Sequence, residues 1–138
     1  MMPNNKPSLE SLQNAIRRLA EGLERYQRDI SDTQIRDGLV QRFEFTYELA
    51  HKTLKRYLEY TSATPEIYDS MPFQDMIRSA NEQNLLRSDW PRWRLFREMR
   101  SKTSHTYDED IALEVVSGIP AFLDEAVFLR DRLLEKLT

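Results

Sequence analysis

A chain of 138 residues with no cysteine has neither a disulfide framework nor thiolate metal ligands, and it is long enough to build one hydrophobic core unaided. Its net charge of −3 gives no general affinity for nucleic acid, so any such affinity must come from a local patch. Three glycines are too few for the tight turns of a β protein, and no apolar run nears the ~18 residues of a membrane span.

Residues 1–7, Met-Met-Pro-Asn-Asn-Lys-Pro, have no apolar stretch behind them. They read as a short flexible tail and not as a signal peptide, which with the lack of cysteine makes the cytoplasm the expected location. The first periodic segment carries Leu9, Leu12, Ile16, Leu19, Leu23 and Tyr26, spaced three and four apart as on one helix face. Ser8 is its expected N-cap, with Ser11 as the alternative. Asp32 caps a longer helix striped by Ile35, Leu39, Phe43, Tyr47, Ala50, Leu54 and Leu58. That helix is expected to end near Tyr60, before Thr61-Ser62-Ala63-Thr64-Pro65. At 1.5 Å per residue it is roughly 40 Å long and forms the spine.

A short helix follows Ser70-Met71-Pro72, carries Phe73, Met76, Ile77 and Ala80, and stops at Asn81-Glu82-Gln83-Asn84. Asp89 caps the next, with Pro91 in its first turn and Trp93, Phe96 and Met99 on its apolar face, supported by Leu95. The last helix is expected to start at Thr106, whose spacing to Glu109 is that of a capping box. Its stripe runs through Val116, Ile119, Phe122, Ala126, Leu129, Leu133 and Leu137, extended by Leu113, with a kink expected at Gly118 and Pro120. The pattern predicts an all-α fold, an antiparallel four-helix bundle with one additional short helix, as a single domain over residues 1–138.

Most chemical motifs are missing: there is no phosphate-cradling glycine loop, no HExxH and no nucleophile elbow. With two histidines and no cysteine, neither a metal site nor a cofactor is expected. The segment that stands out is Arg100-Ser101-Lys102-Thr103-Ser104-His105-Thr106-Tyr107, polar throughout and lying between two helices. A guanidinium grips phosphate with paired hydrogen bonds, and an imidazole moves protons near neutral pH. Together Arg100 and His105 suit an RNA phosphodiester, where the 2′-hydroxyl loses a proton and the leaving oxygen gains one. Residues 87–102 hold six basic side chains against two acidic ones, a local surplus of four, in which Arg94, Arg97 and Lys102 are expected to contact phosphate. Trp90 and Trp93 interleave with these cations. Exposed aromatics stack on bases, although Trp93 reads better as core. By itself R-x4-H is also the pattern of an ordinary helix–helix connection.

The run Arg100-x4-His105-x-Tyr107, continuing Asp-Glu, resembles the HEPN toxins of the HepT group in HEPN/MNT modules, also called nucleotidyltransferase substrate-binding proteins. The run Gln41-Arg42-Phe43-Glu44-Phe45-Thr46-Tyr47-Glu48-Leu49-Ala50, followed by Lys52-Thr53-Leu54-Lys55, resembles the same family in order and separation. The resemblance implies a HEPN-like helical homodimer acting as a metal-independent ribonuclease toxin, with Arg100 and His105 as its active residues. It further implies a partner antitoxin, a minimal nucleotidyltransferase (MNT), that attaches AMP to Tyr107. The chain departs from the family at Ser101, where Asn is frequent, and at His51, where Trp is usual. His51 lies on the apolar stripe and reads as a core residue in place of an aromatic. Arg42, Glu44 and Glu48 read as ion-pairing residues, one carboxylate being placed to orient Arg100.

Acid–base cleavage benefits from both a base and an acid, and one chain offers only His105 in this segment. A two-fold axis beside it supplies the second. The alternative is a non-catalytic partner subunit of a nucleotidyltransferase. A purely structural adaptor would need no such triplet.

Overall fold

The computed structural model describes residues 6–138; of the expected tail, residues 1–5 lie outside the described residues. The chain folds as α1 (Glu10–Arg28), α2 (Thr33–Thr61), a 3-10 turn (Pro65–Asp69), α3 (Phe73–Glu82), α4 (Trp90–Lys102), a second 3-10 turn (Thr103–His105) and α5 (Glu109–Leu137). The fold is all-α, as the apolar periodicity predicts. No helix is long and apolar enough to cross a membrane among the described residues.

The stripes drawn from the sequence form one contiguous core. Leu12, Ile16 and Leu19 of α1 meet Leu39, Phe43, Leu54 and Leu58 of α2, and Ile119, Phe122, Leu129 and Leu133 of α5. Phe122 is packed edge-on by Phe43 at 5.0 Å, Phe96 at 5.2 Å and Trp93 at 6.3 Å. Trp93 is only 1% exposed, so it is core and not a base-stacking platform. Its indole Nε1 has no hydrogen-bond partner among the described residues.

Helix ends follow local chemistry, with three departures from expectation. Asp32 caps α2, accepting from Gln34 N and Ile35 N at 3.0 and 3.1 Å. α1 instead has Leu9 at its N-cap, and Ser8 sits one residue further out, its hydroxyl accepting from Glu10 N at 3.4 Å. At α4, Asp89 contributes its carbonyl, which accepts from Trp93 N at 3.1 Å, and Pro91 occupies the first turn. The Thr106–Glu109 box does not form. The chain winds through a 3-10 turn first, so the Thr106 hydroxyl donates back to Thr103 O at 3.3 Å. Asp108 caps α5 in its place, accepting from Asp110 N and Ile111 N, a stronger cap because its charge suits the helix N-terminus.

α3 ends in a Schellman motif. Asn84 takes the left-handed conformation at φ 58°, and Leu85 N and Asn84 N donate to Ala80 O and Asn81 O, both at 3.0 Å. α5 runs unbroken across Gly118 and Pro120. Gly118 is a contact point: a Cβ there would lie 2.5 Å from the Met99 sulfur of α4. Leu95 and Leu113 are exposed, because each falls off the buried stripe of its own helix.

Two buried charges hold the elements in register. Arg36 of α2 makes a two-pronged pair with Glu109 at the start of α5, at 2.7 and 3.0 Å. That pairing raises the Arg36 pKa and lowers that of Glu109. Glu125 of α5 is almost fully buried, and its Oε2 accepts from Arg87 N at 2.7 Å and Ser88 N at 3.3 Å. This fixes the connection that launches α4.

Candidate active site

Arg100 sits in the last turn of α4, facing α2. Its Nη2 donates to the Glu48 carboxylate and lies 3.5 Å from Glu44 Oε1. Its Nη1 donates to Thr103 Oγ1 at 3.3 Å, and the Thr103 hydroxyl donates to the Arg100 carbonyl at 2.8 Å. Thr103 is buried, so this small loop is anchored to the bundle. The hydrogen bond to Glu48, ahead of the charges of Glu44 and Glu48, raises the Arg100 pKa further. Glu44 and Glu48 are one helical turn apart on α2, which aims both carboxylates at one guanidinium. Two negative charges surround one positive charge there.

His105 closes the 3-10 turn five residues later and is exposed. Tyr107 lies in the turn beyond, outside the Asp108 cap, and is 87% exposed. The two rings stand edge-to-face with centroids 6.1 Å apart. Arg100, His105 and Tyr107 therefore share one short connection, with Arg100 held and the other two rings in solvent. Tyr107 does not sit in the first turn of α5, because Thr106 is not the cap.

The expected phosphate contacts divide. Lys102 is engaged by Glu114 of α5 at 2.6 Å, which raises its pKa. Arg94 lies 3.9 Å from Glu98 on its own helix. Arg97 stands over the Phe73 ring at 5.7 Å and has no ion pair among the described residues. The sequence surplus of 87–102 is thus met largely by carboxylates from α2, α4 and α5. Beside Arg97, His51 is half-buried with its ring 4.6 Å from Phe73. Burial, then Lys55 and Arg97, lowers its pKa. Burial likewise pushes the Tyr47 hydroxyl up to about 12, so it stays protonated. Among the described residues no three His, Asp or Glu side chains form a cluster of metal-binding kind.

Sequence reasoning anticipated a carboxylate on Arg100 and missed Thr103 and the Arg36–Glu109 pair. A hydroxyl three residues after an arginine at a helix end was the available signal for the first. The second is hidden in the sequence because Glu109 has capping-box spacing from Thr106.

Known proteins share this fold. The family described as nucleotidyltransferase substrate binding protein like matches residues 7–135, and the chain belongs to it. A curated relative from Haemophilus influenzae (strain ATCC 51907 / DSM 11121 / KW20 / Rd), named probable ribonuclease HepT, is 37% identical over 107 residues, covering 78% of this chain and 72% of that protein. A solved Haemophilus influenzae structure, described as revealing the fold of a substrate binding domain of a nucleotidyltransferase, superposes with a TM-score of 0.85 at 32% identity. It covers 91% of this chain and 98% of its own.

Proposed function

We propose that the chain is the toxin of a toxin–antitoxin module, a cytoplasmic, metal-independent endoribonuclease that works as a homodimer. The reading rests on one observation: a guanidinium gripped by Glu48 and Thr103 stands five residues from a free, exposed imidazole. Arg100 is oriented before substrate arrives and presents its remaining donors to the scissile phosphate. One His105 takes the proton of the 2′-hydroxyl, the 2′-oxygen attacks phosphorus, and the 5′-oxygen leaves with a proton from the His105 of the second copy. The products are a 2′,3′-cyclic phosphate and a 5′-hydroxyl. Arg97, Arg94 and Lys102 guide the flanking strand, Lys102 after release from Glu114. The name of the Haemophilus relative supports this class of activity.

The family description supports a second element, a nucleotidyltransferase partner. In this reading that partner is a minimal nucleotidyltransferase acting as antitoxin, which transfers AMP to the exposed Tyr107. The runner-up keeps the partner and drops the catalysis, making the chain a binding subunit.

Expression in a bacterial host separates them. Growth arrest that vanishes with His105→Ala, together with cleavage of total RNA by purified protein, is the expected result. Growth unaffected by the wild-type chain, with no RNA cleavage, overturns the ribonuclease reading in favour of the subunit.

A further inference from the structure

We propose that the outward stripe of α2 centred on Phe45 is the two-fold contact with a second copy of this chain, and that the partner's Arg42 completes the Arg100 site. This rests on the dimeric reading above and names its surface.

Phe45 is 52% exposed in mid-helix, beside a groove of about 660 Å³ between α1 and α2. Gly38, Gln41, Phe45, Glu48 and Lys52 recur three and four residues apart along this face, and all are exposed. Gly38 is the second anomaly. A glycine within a helix is less favourable than alanine, yet nothing among the described residues lies within 4 Å of where its Cβ would be. No contact within the protomer accounts for it. A neighbour approaching the bare backbone does.

The charges are self-complementary about Phe45. Two α2 helices packed antiparallel across a two-fold axis at Phe45 bring together residues equidistant from it. Arg42 and Glu48, three positions either side, then face each other in opposite charge. Gly38 and Lys52, seven either side, set a long side chain over the residue that has none, and Gln41 meets Leu49 at four. Both reciprocal contacts form at once. Arg42 is available for this role. Its Nη1 donates to Arg18 O at 2.7 Å, which fixes the side chain and leaves its other N–H groups free of any carboxylate among the described residues.

The consequence falls on the active site. Glu48 lines the groove and also holds Arg100. Within one protomer Glu44 and Glu48 outweigh Arg100 by one negative charge, a poor place for a phosphate. The partner's cation brings the cluster to two of each sign and engages Glu48 from its open side.

The lack of cysteine makes the test direct. Phe45→Cys, oxidised under mild conditions, is expected to give a disulfide-linked dimer, while Ile30→Cys, exposed elsewhere, is not. By light scattering the wild type is expected at twice 16.4 kDa. Arg42→Glu and Glu48→Arg alone are each expected at 16.4 kDa with wild-type helicity, and their mixture returns to the dimer mass, since the mixed pair has one native Arg42–Glu48 contact and one with its signs exchanged. A wild-type dimer with no Phe45→Cys cross-link and unaltered mass in both charge variants overturns this face, while leaving the dimeric ribonuclease standing. A monomeric wild type that still cleaves RNA overturns the dimer and not the chemistry. Arg42→Glu that keeps the dimer mass but loses RNA binding assigns the groove to the RNA strand and overturns the proposal.

Discussion

Glu48 of α2 holds the Arg100 guanidinium of α4, with Glu44 one turn away at 3.5 Å from the same nitrogen. The pair is partly exposed, and pairs of that kind contribute only about 0.2–1 kcal/mol to stability. Its value is orientation. A guanidinium free to rotate on its stem must be ordered by the substrate, at the expense of binding energy.

Glu48→Gln is therefore expected to lower kcat/KM for RNA cleavage about tenfold or more while the melting temperature stays within a few degrees. The amide still accepts a hydrogen bond but loses the charge that strengthens it, so Glu48→Asp, with its charge at a shorter reach, recovers part of the loss. Steady-state cleavage of a labelled oligoribonucleotide and thermal melts check both. A Glu48→Gln enzyme of wild-type rate would show that Arg100 needs no such support.

Arg100→Ala and His105→Ala are each expected to abolish cleavage. His105 is exposed and its ring stands edge-to-face with that of the likewise exposed Tyr107, outside the core, so the His105→Ala melt should match wild type within about 0.5 kcal/mol. Arg100→Ala removes the one cation between two carboxylates and exposes them to mutual repulsion, so a somewhat larger loss, about 1 kcal/mol, is expected. Circular dichroism and the same cleavage assay test this. Normal cleavage by either variant removes that residue from the chemistry.

What was legible in the sequence was whatever repeats along a helix. The stripes of α1, α2 and α5 place most of the core residues that these three helices contribute, because each position is decided by its neighbours three and four away. The connection at 103–108 was not legible in detail. Thr106 and Asp108 are both capping residues, and the choice depends on whether α4 runs on into a 3-10 turn, which Thr103 decides by packing into the bundle. Glu125 was equally hidden. A carboxylate on the flank of an apolar stripe reads as solvated unless one knows that the backbone of Arg87 and Ser88 arrives there needing an acceptor. The basic surplus of 87–102 was legible as composition only, since its partners Glu48, Glu114 and Asp124 come from other helices.

His51 gives a prediction in pH. Its folded pKa lies below the ordinary histidine value, chiefly through burial. Above pH 6.5 both folded and unfolded chains carry a neutral imidazole and nothing is lost. As pH falls below 6.5 the unfolded chain takes up a proton that the folded chain resists, so stability declines until the folded pKa is passed. His51→Phe keeps a ring against Phe73 and abolishes this dependence. Melting temperatures from pH 7.5 to 5 are expected to fall less steeply for His51→Phe than for wild type, and parallel curves would show that the site does not discriminate between the charge states.

Tyr107 is the residue through which activity is expected to be switched off. Its hydroxyl is in solvent, outside the α5 cap, and its ring stands 6.1 Å from that of His105, so a transferase reaches it without unfolding anything. AMP attached there carries about one negative charge on its phosphodiester together with a ribose and a base. The α5 N-terminus does not supply the counter-charge, because Asp108 already accepts from Asp110 N and Ile111 N. Asp108, Glu109 and Asp110 instead repel an anion on that side, although Arg36 neutralises Glu109. The adduct is thereby turned away from α5 and towards His105 and Arg100, where its phosphate competes with the scissile phosphate and its bulk obstructs the strand. Co-expression with the proposed minimal nucleotidyltransferase partner is expected to add one or more AMP-sized increments to the peptide containing Tyr107 and to end RNA cleavage. Tyr107→Phe remains unmodified and stays toxic beside the partner. Asp108→Asn, which removes one repelling charge while keeping a capping oxygen, is expected to be modified normally but inhibited less completely. A Tyr107→Phe chain that the partner still neutralises would assign inhibition to simple binding.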